Sequence, residues 1–283
     1  MSKMRIIPFC TLLLIVIYSC SKDAGSGDTG IVTTDYEGYS LVWHDEFEGT
    51  EINTDNWEHE VNANGGGNNE LQYYTDRKEN SLVENGNLII IALKENYSAQ
   101  FGTRGYTSAR LRTANKADFL YGRFEIRAKL PEGQGLWPAI WMLPTDWEYG
   151  GWPNSGEIDI MELVGHLPNL VHGTIHYYNN SHQYSGNSYR LSEGNFSDDF
   201  HTFRVDWEPT EIRWYVDDIL YSTKRNWASS PNPYPTPFDK RFHFLINVAV
   251  GGNWPGNPIP GTFFPQFMYV DWVRVYQKTS DFQ

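Results

Sequence analysis

The stretch Trp152-Pro153-Asn154-Ser155-Gly156-Glu157-Ile158-Asp159-Ile160-Met161-Glu162-Leu163-Val164 puts three carboxylates into six residues of what otherwise reads as a half-buried strand. Charge buried without a partner is costly. A segment that sets Glu157, Asp159 and Glu162 among Ile158, Ile160, Met161 and Leu163 therefore either solves a structural problem or uses carboxylates as reagents. In a regular strand residues 157, 159 and 161 share a face, which puts Met161 with the acids and turns Glu162 away. One β-bulge near Ile160 or Met161 brings all three acids to one side, and bulges are frequent beside active sites. Glu157 and Glu162 would then stand about four strand steps, roughly 13 Å, apart at Cα. Side chains leaning together can approach the roughly 5–5.5 Å between carboxyl groups that a retaining glycosidase requires. Such a pair works when one carboxylate is ionised to attack the anomeric carbon and the other keeps a proton for the leaving oxygen. Asp159, between them, is positioned to hydrogen-bond the nucleophile. The structural alternatives are a metal site or a solvated acidic face, and the large apolar residues between the acids argue against the second.

On either side of this segment the chain is β throughout. Runs of alternating, β-branched and aromatic residues recur from Ser40 onward, separated by Gly, Pro, Asn and Asp. Leu82 to Glu95 reads as a hairpin with Asn85-Gly86 at its turn. Phe203 to Tyr221 repeats the form, with turns at Pro209 and Asp217-Asp218. Further strands are expected at Tyr121–Leu130, Gly156–Leu163, Val171–Tyr177, Phe242–Val250 and Phe267–Tyr276. No internal repeat and no long helix is visible. So many strands in one uninterrupted stretch predict a single two-sheet antiparallel β-sandwich over residues 38–283.

The N-terminal residues belong to a different regime. Lys3 and Arg5 precede an apolar run, Ile6 to Tyr18, too short to span a bilayer but suited to an export signal over residues 1–19. It ends at Ser19-Cys20, which resembles the lipoprotein box in which the cysteine becomes the lipid-bearing N-terminus. Residues 20–37, rich in Gly, Ser, Thr and Asp, read as a flexible tether. Its start, Ser21-Lys22-Asp23, resembles a tag that sends some lipoproteins to the outer face of the outer membrane. The expected location is thus exported and anchored through Cys20 to a bacterial outer membrane. Cys10 and Cys20 are the only cysteines, so the exported domain has no disulfide. Cleavage before Cys20 removes two basic residues and takes the formal charge from -13 to -15. That charge argues against nucleic acid and highly sulfated polymers as partners.

Aromatic residues make up 16% of the chain, including 11 Trp, more than a core of this size needs. Trp137, Trp141, Trp147, Trp152 and Trp254 lie in Gly- or Pro-rich surroundings typical of loop rims, where flat apolar faces suit stacking on sugar rings. Trp207, Trp214 and Trp272 sit in regular strands and are expected in the core.

Gly156-Glu157-Ile158-Asp159-Ile160-Met161-Glu162 resembles the signature of glycoside hydrolase family 16, in the Met-containing bulged form usual in endo-1,3-β-glucanases (laminarinases). The likeness extends to Asn68-Asn69-Glu70-Leu71-Gln72-Tyr73-Tyr74, Thr107-Ser108-Ala109-Arg110-Leu111, Gly135-Leu136-Trp137-Pro138-Ala139-Ile140-Trp141-Met142, Thr174-Ile175-His176 and Gly251-Gly252-Asn253-Trp254-Pro255-Gly256, in the same order, and covers about Ser40 to Gln277. The resemblance implies a concanavalin A-like jelly roll with a concave cleft. It implies Glu157 as nucleophile, Glu162 as general acid/base and Asp159 as assisting acid. By the same likeness Asn69, Arg110, Trp137, Trp141, Trp152, His176 and Trp254 line the cleft, although His176 could be a buried strand histidine and Arg110 could pair with a neighbouring acid. It further implies a structural Ca2+ away from the cleft, at Glu46, Gly86 and Asp271, and no cofactor for catalysis. The expected function is endo-acting, retaining hydrolysis of 1,3-β-glucan by a monomer. The alternatives are the same chemistry on mixed-linkage glucan, agarose, porphyran or carrageenan, or a non-catalytic glucan-binding surface protein. Retention of both glutamates argues against the last.

Overall fold

The computed structural model describes residues 36–279. The expected leader, Cys20 and nearly all of the tether lie outside the described residues. Tyr36, assigned to the tether from sequence, belongs to the domain by its contacts. Its hydroxyl donates to Glu125 Oε1 at 2.6 Å, its ring meets Tyr276 edge-on, and the Arg123 guanidinium lies over it.

In chain order the strands are β1 (Tyr39–Asp45), β2 (Glu58–His59), β3 (Gln72–Tyr74), β4 (Ser81–Glu84), β5 (Asn87–Ala92), β6 (Tyr97–Ala99), β7 (Gly102–Arg104), β8 (Tyr106–Ser108), β9 (Arg110–Arg112) and β10 (Asp118–Phe119). They continue with β11 (Gly122–Lys129), β12 (Leu136–Pro144), β13 (Glu157–Leu163), β14 (Leu170–Tyr178), β15 (His182–Arg190), β16 (His201–Glu208), β17 (Glu211–Val216), β18 (Ile219–Lys224), β19 (Phe242–Val250) and β20 (Gln266–Lys278). A 3-10 turn spans Gly65–Gly67, and no α-helix occurs among the described residues. Turn chemistry explains the hairpins. Asn85 and Gly86 between β4 and β5, and Asp217 and Asp218 between β17 and β18, all take positive φ, as tight hairpin turns require.

Two antiparallel eight-stranded sheets result. The outer sheet runs β18-β17-β16-β11-β20-β5-β4, and β1 also pairs with β20. The cleft sheet runs β15-β14-β13-β12-β19-β9-β2, with β10 on β19. Their inner faces meet in one core, in which Ile158, Ile160, Met161, Leu163, Val171 and Ile175 of the cleft sheet face Phe203, Val205, Trp207, Trp214 and Val216 of the outer sheet. Burying each such side chain stabilises the fold by about 1.5–3 kcal/mol, which is how the domain dispenses with disulfides. Trp207 and Trp214 are in this core as expected; Trp272 is not. It lies half-buried on β20, with the Arg274 guanidinium 4.1 Å over its ring. The extra residue that β20 carries at Asp271 explains this, because it shifts the in–out alternation there.

Candidate active site

The strand β13 carries the expected bulge. Against β14, Asp159 pairs with Thr174 and Glu162 with His172, so three steps on one strand face two on the other. Against β12, Trp141 pairs with Asp159 and Ile140 with Met161, which makes Ile160 the extra residue. Ile160 and Met161 are both fully buried in the core, and Glu157, Asp159 and Glu162 all line the cleft. A bulge breaks the ladder and leaves backbone groups in need of partners. Here the Asp159 carbonyl accepts a 2.7 Å hydrogen bond from Trp214 Nε1, which reaches it across the core from β17. The indole passes where a side chain on Gly173 would be. A Cβ there would lie 2.3 Å from Trp214 Cδ1 and 2.5 Å from the Tyr221 hydroxyl.

Strand register lays the site out in transverse rows. Glu157 pairs with His176 and His176 with Tyr184; Asp159 pairs with Thr174 and Thr174 with Gly186; Glu162 pairs with His172 and His172 with Ser188. On the other side Ala139 pairs with both Glu162 and Asn247, and Asn247 with Arg110. Ala139 is a short floor between two walls, Trp137 and Trp141, because residues two apart share a face. The walls are tied to polar groups. Trp137 Nε1 donates to Glu162 Oε1 at 3.0 Å, and Trp141 Nε1 to Asn247 Oδ1 at 2.8 Å. Trp152 Nε1 donates to Glu157 Oε2 through a short hydrogen bond. The whole forms an open cleft of about 880 Å³.

Three acids and one histidine set the electrostatics. Burial pushes the Glu157 carboxyl up to about 8, and the Asp159 charge adds to the rise; the His176 charge and the Trp152 N–H oppose it. Burial likewise raises Glu162 well above the carboxylate range, helped by the charges of Asp159 and Glu157. Burial alone would lower His176. The contact with Asp159 and the three carboxylate charges overturn that and raise it to about 9. His176 Nε2 stands 3.1 Å from Asp159 Oδ2 and forms an ion pair with it when the imidazole is charged. Ligand atoms of Glu157, Asp159 and His176 all lie within 4.8 Å of one another. The raised His176 places a basic imidazole among these carboxylates, where its positive form would counter their charge.

Residues 68–274 match the family model described as glycosyl hydrolases family 16. The chain belongs to glycosyl hydrolase family 16. The beta-glucanase of Rhodothermus marinus is 46% identical over 250 residues, covering 84% of this chain and 85% of that one. The glucan endo-1,3-beta-glucosidase of Cryptopygus antarcticus is 46% identical over 224 residues, covering 76% of this chain and 82% of its own. The crystal structure of the laminarinase catalytic domain from Thermotoga maritima superposes with a TM-score of 0.77 at 44% identity, covering 86% of this chain and 100% of that one. This family 16 chain is therefore a glycoside hydrolase with the jelly-roll sandwich of its relatives.

The expected cleft residues divide on inspection. Trp137, Trp141, Trp152, His176 and Trp254 line the cleft; Trp152 and Trp254 are nearly half exposed, and Trp254 stands edge-on to Trp137 and to His172. Arg110 also lines it, but its guanidinium is buried between Glu60 at 3.3 Å and Glu70 at 3.8 Å and packs on the rings of Tyr74 and Trp141. It braces the Trp141 wall. Asn69 is a correction. Its side chain is exposed outside the cleft lining and donates to Asn253 Oδ1 at 2.9 Å, tying down the loop that carries Trp254. A positive φ turns Asn69 outward, and its neighbours Asn68 and Glu70 line the cleft instead. Sequence reasoning missed Asn247, His172, His182 and Tyr184, which enter only through strand pairing.

The three positions expected to hold calcium flank one gap in the outer sheet. Along one edge of β20, β5 pairs as far as Val270 and β1 begins at Val273, which leaves Asp271 facing a gap. Glu46 follows the end of β1 and Gly86 precedes β5, so both flank that gap. Backbone oxygens there and one carboxylate suit a hard cation. The Asp271 carboxylate is engaged by Arg127, and the Glu46 carboxylate holds Arg274 in a two-point ion pair at 2.8–2.9 Å.

Proposed function

We propose that the protein is an endo-acting, retaining hydrolase of 1,3-β-glucans of the laminarin type. The observation that carries this is the one-residue bulge in β13, which gives both glutamates and Asp159 to one face of the cleft. Glu162, held protonated by burial and neighbouring charge, gives its proton to the glycosidic oxygen as the bond breaks. Glu157 attacks the anomeric carbon and forms a covalent glycosyl-enzyme. Its anion is supported by the Trp152 N–H and the His176 charge, and Asp159 is close enough to take up the proton that Glu157 otherwise keeps. In the second half, ionised Glu162 takes a proton from water, whose oxygen displaces Glu157 from the anomeric carbon. An open cleft, with aromatic rings on either side of the acids, suits an internal segment of a polymer.

The names carried by the relatives, among them an endo-1,3-beta-glucosidase and a laminarinase, support 1,3-β-glucan as the substrate. Calcium at Glu46, Gly86 and Asp271, with Asp271 released from Arg127, and lipid anchoring through Cys20 to the outer membrane belong to the same reading.

The test is a panel of polysaccharides screened for new reducing ends. Laminarin should be cleaved fastest, with β-anomers appearing first by NMR. Glu157→Ser should lose at least about 10⁴-fold in kcat while still binding laminari-oligosaccharides. Substantial residual turnover, or initial α-product, would sink the assignment.

A further inference from the structure

The edge strand β15 presents His182 at the rim of the cleft, exposed, next to two groups that hold the carboxylates. His182 Nε2 lies 2.8 Å from His176 Nδ1, and the two rings meet edge to edge, nearly coplanar, with centroids 5.1 Å apart and an interplanar angle of 18°. On its other side the His182 ring is 4.6 Å from the Trp152 ring. Trp152 hydrogen-bonds Glu157, and His176 is paired with Asp159. A chain of contacts thus runs Glu157–Trp152–His182–His176–Asp159 and closes around the nucleophile.

We propose that His182 is a positioning residue of the catalytic site, fixing the His176 imidazolium through its ring nitrogen and the Trp152 indole through its ring. The proton assignment follows from a charged His176 beside Asp159. His176 uses Nε2–H toward Asp159, so as an imidazolium it also has an Nδ1–H to give, and the neutral His182 Nε2 is the acceptor. The groups around His182 fit that role. Tyr178 on β14 is its register partner, the Tyr184 ring on β15 lies tilted at 6.2 Å, the Trp152 ring lies tilted at 4.6 Å, and the charge it meets is that of His176. Burial, and then the His176 charge, keep His182 below the ordinary imidazole range, which preserves it as an acceptor. His176 also meets the exposed Tyr184 ring at 6.1 Å, but His182 is the residue that contacts both, through a ring nitrogen toward His176 and its ring toward Trp152.

The inference rests on the reading of Glu157 and Asp159 as catalytic groups, and the test separates the two. His182→Leu keeps bulk without an acceptor; His182→Gln restores an acceptor without the ring. In the free protein, NMR titration of the His176 ring should show its pKa lowered by about one unit in His182→Leu and restored in His182→Gln. This measurement does not depend on which glucan is cleaved. On the best polysaccharide of the panel, His182→Leu should lose about tenfold in kcat, and its alkaline limb should move to lower pH, with the melting temperature unchanged. His182→Gln should recover the limb. A His176 titration equal to wild type in His182→Leu overturns the proposal. So does a rise in KM with kcat and pH profile intact, which would make His182 only a wall of the sugar site. Equal losses in both variants with a lowered melting temperature would make it a structural residue and overturn the proposal as well.

Discussion

Gly173→Ala should damage the enzyme from a position that touches no substrate. Gly173 is absent from the positive-φ glycines, so alanine is conformationally acceptable and the cost is steric alone. The added Cβ would lie 2.3 Å from Trp214 Cδ1 and 2.7 Å from its Nε1, against ordinary contact of 3.4 Å or more. The indole must therefore retreat by about 1 Å, which stretches its 2.7 Å bond to the Asp159 carbonyl beyond useful length. Overpacking costs about 1–3 kcal/mol, and a buried carbonyl left without its donor costs about 1–3 kcal/mol more. Urea unfolding should thus show a loss of about 2–6 kcal/mol. A displacement of about 1 Å in reacting groups is worth about 10²-fold in rate. Initial rates on laminarin should show kcat lower by that order with KM little changed. Trp214→Phe, which removes the N–H without the collision, should show a smaller loss in the same direction. A folded Gly173→Ala variant with kcat within about threefold of wild type would refute the reasoning, since the bulge would then hold without its donor.

The site should also set how stability depends on pH. Glu157, raised to about 8, and His176, raised to about 9, both bind protons more tightly folded than unfolded. Their contribution is complete below the ordinary values of 4.5 and 6.5 and is lost as pH rises through the folded ones. Glu157→Gln, with no proton to lose, should melt progressively higher than wild type as pH rises from about 5 to 9; parallel Tm curves would count against the cluster. Removing divalent ions with a chelator should lower the wild-type Tm and leave Asp271→Ala unaffected, and an unchanged wild-type Tm defeats the calcium reading. Cys20→Ser should move the protein from the membrane pellet to the soluble fraction. Retention in the pellet would exclude the lipid anchor.

The acids, their bulge and the tryptophan walls were legible in the sequence because each rests on local spacing. An even step keeps a strand face, an odd one changes it, and a motif that needs three acids together must contain a bulge. The β4–β5 hairpin was legible for a similar reason, since Asn85-Gly86 carries its own turn geometry. Strands β12 and β15 were harder to read. The first contains Pro138 and Pro144 and the second is polar on both faces, so neither shows the expected alternation. What depends on pairing was not legible at all. His182 matters because it lies against His176, and Trp214 because β17 passes behind the bulge; no spacing within either strand announces this. Trp272 and Asn69 were misplaced for the complementary reason, because a bulge and a left-handed residue each reverse the direction a pattern assigns.

The strand β20 has a consequence for the order in which this protein comes into being. It spans 13 residues near the C-terminal end, and it alone joins β11 on one edge to β1 and β5 on the other. Until it arrives, the first-made strands of the outer sheet have no path to its central ones. Sheets that depend on such distant pairings close slowly, and a chain that must wait for its last strand stays open while it is being made. The strand β20 works as a latch for the outer sheet, and a truncation into it would leave two unjoined halves of that sheet.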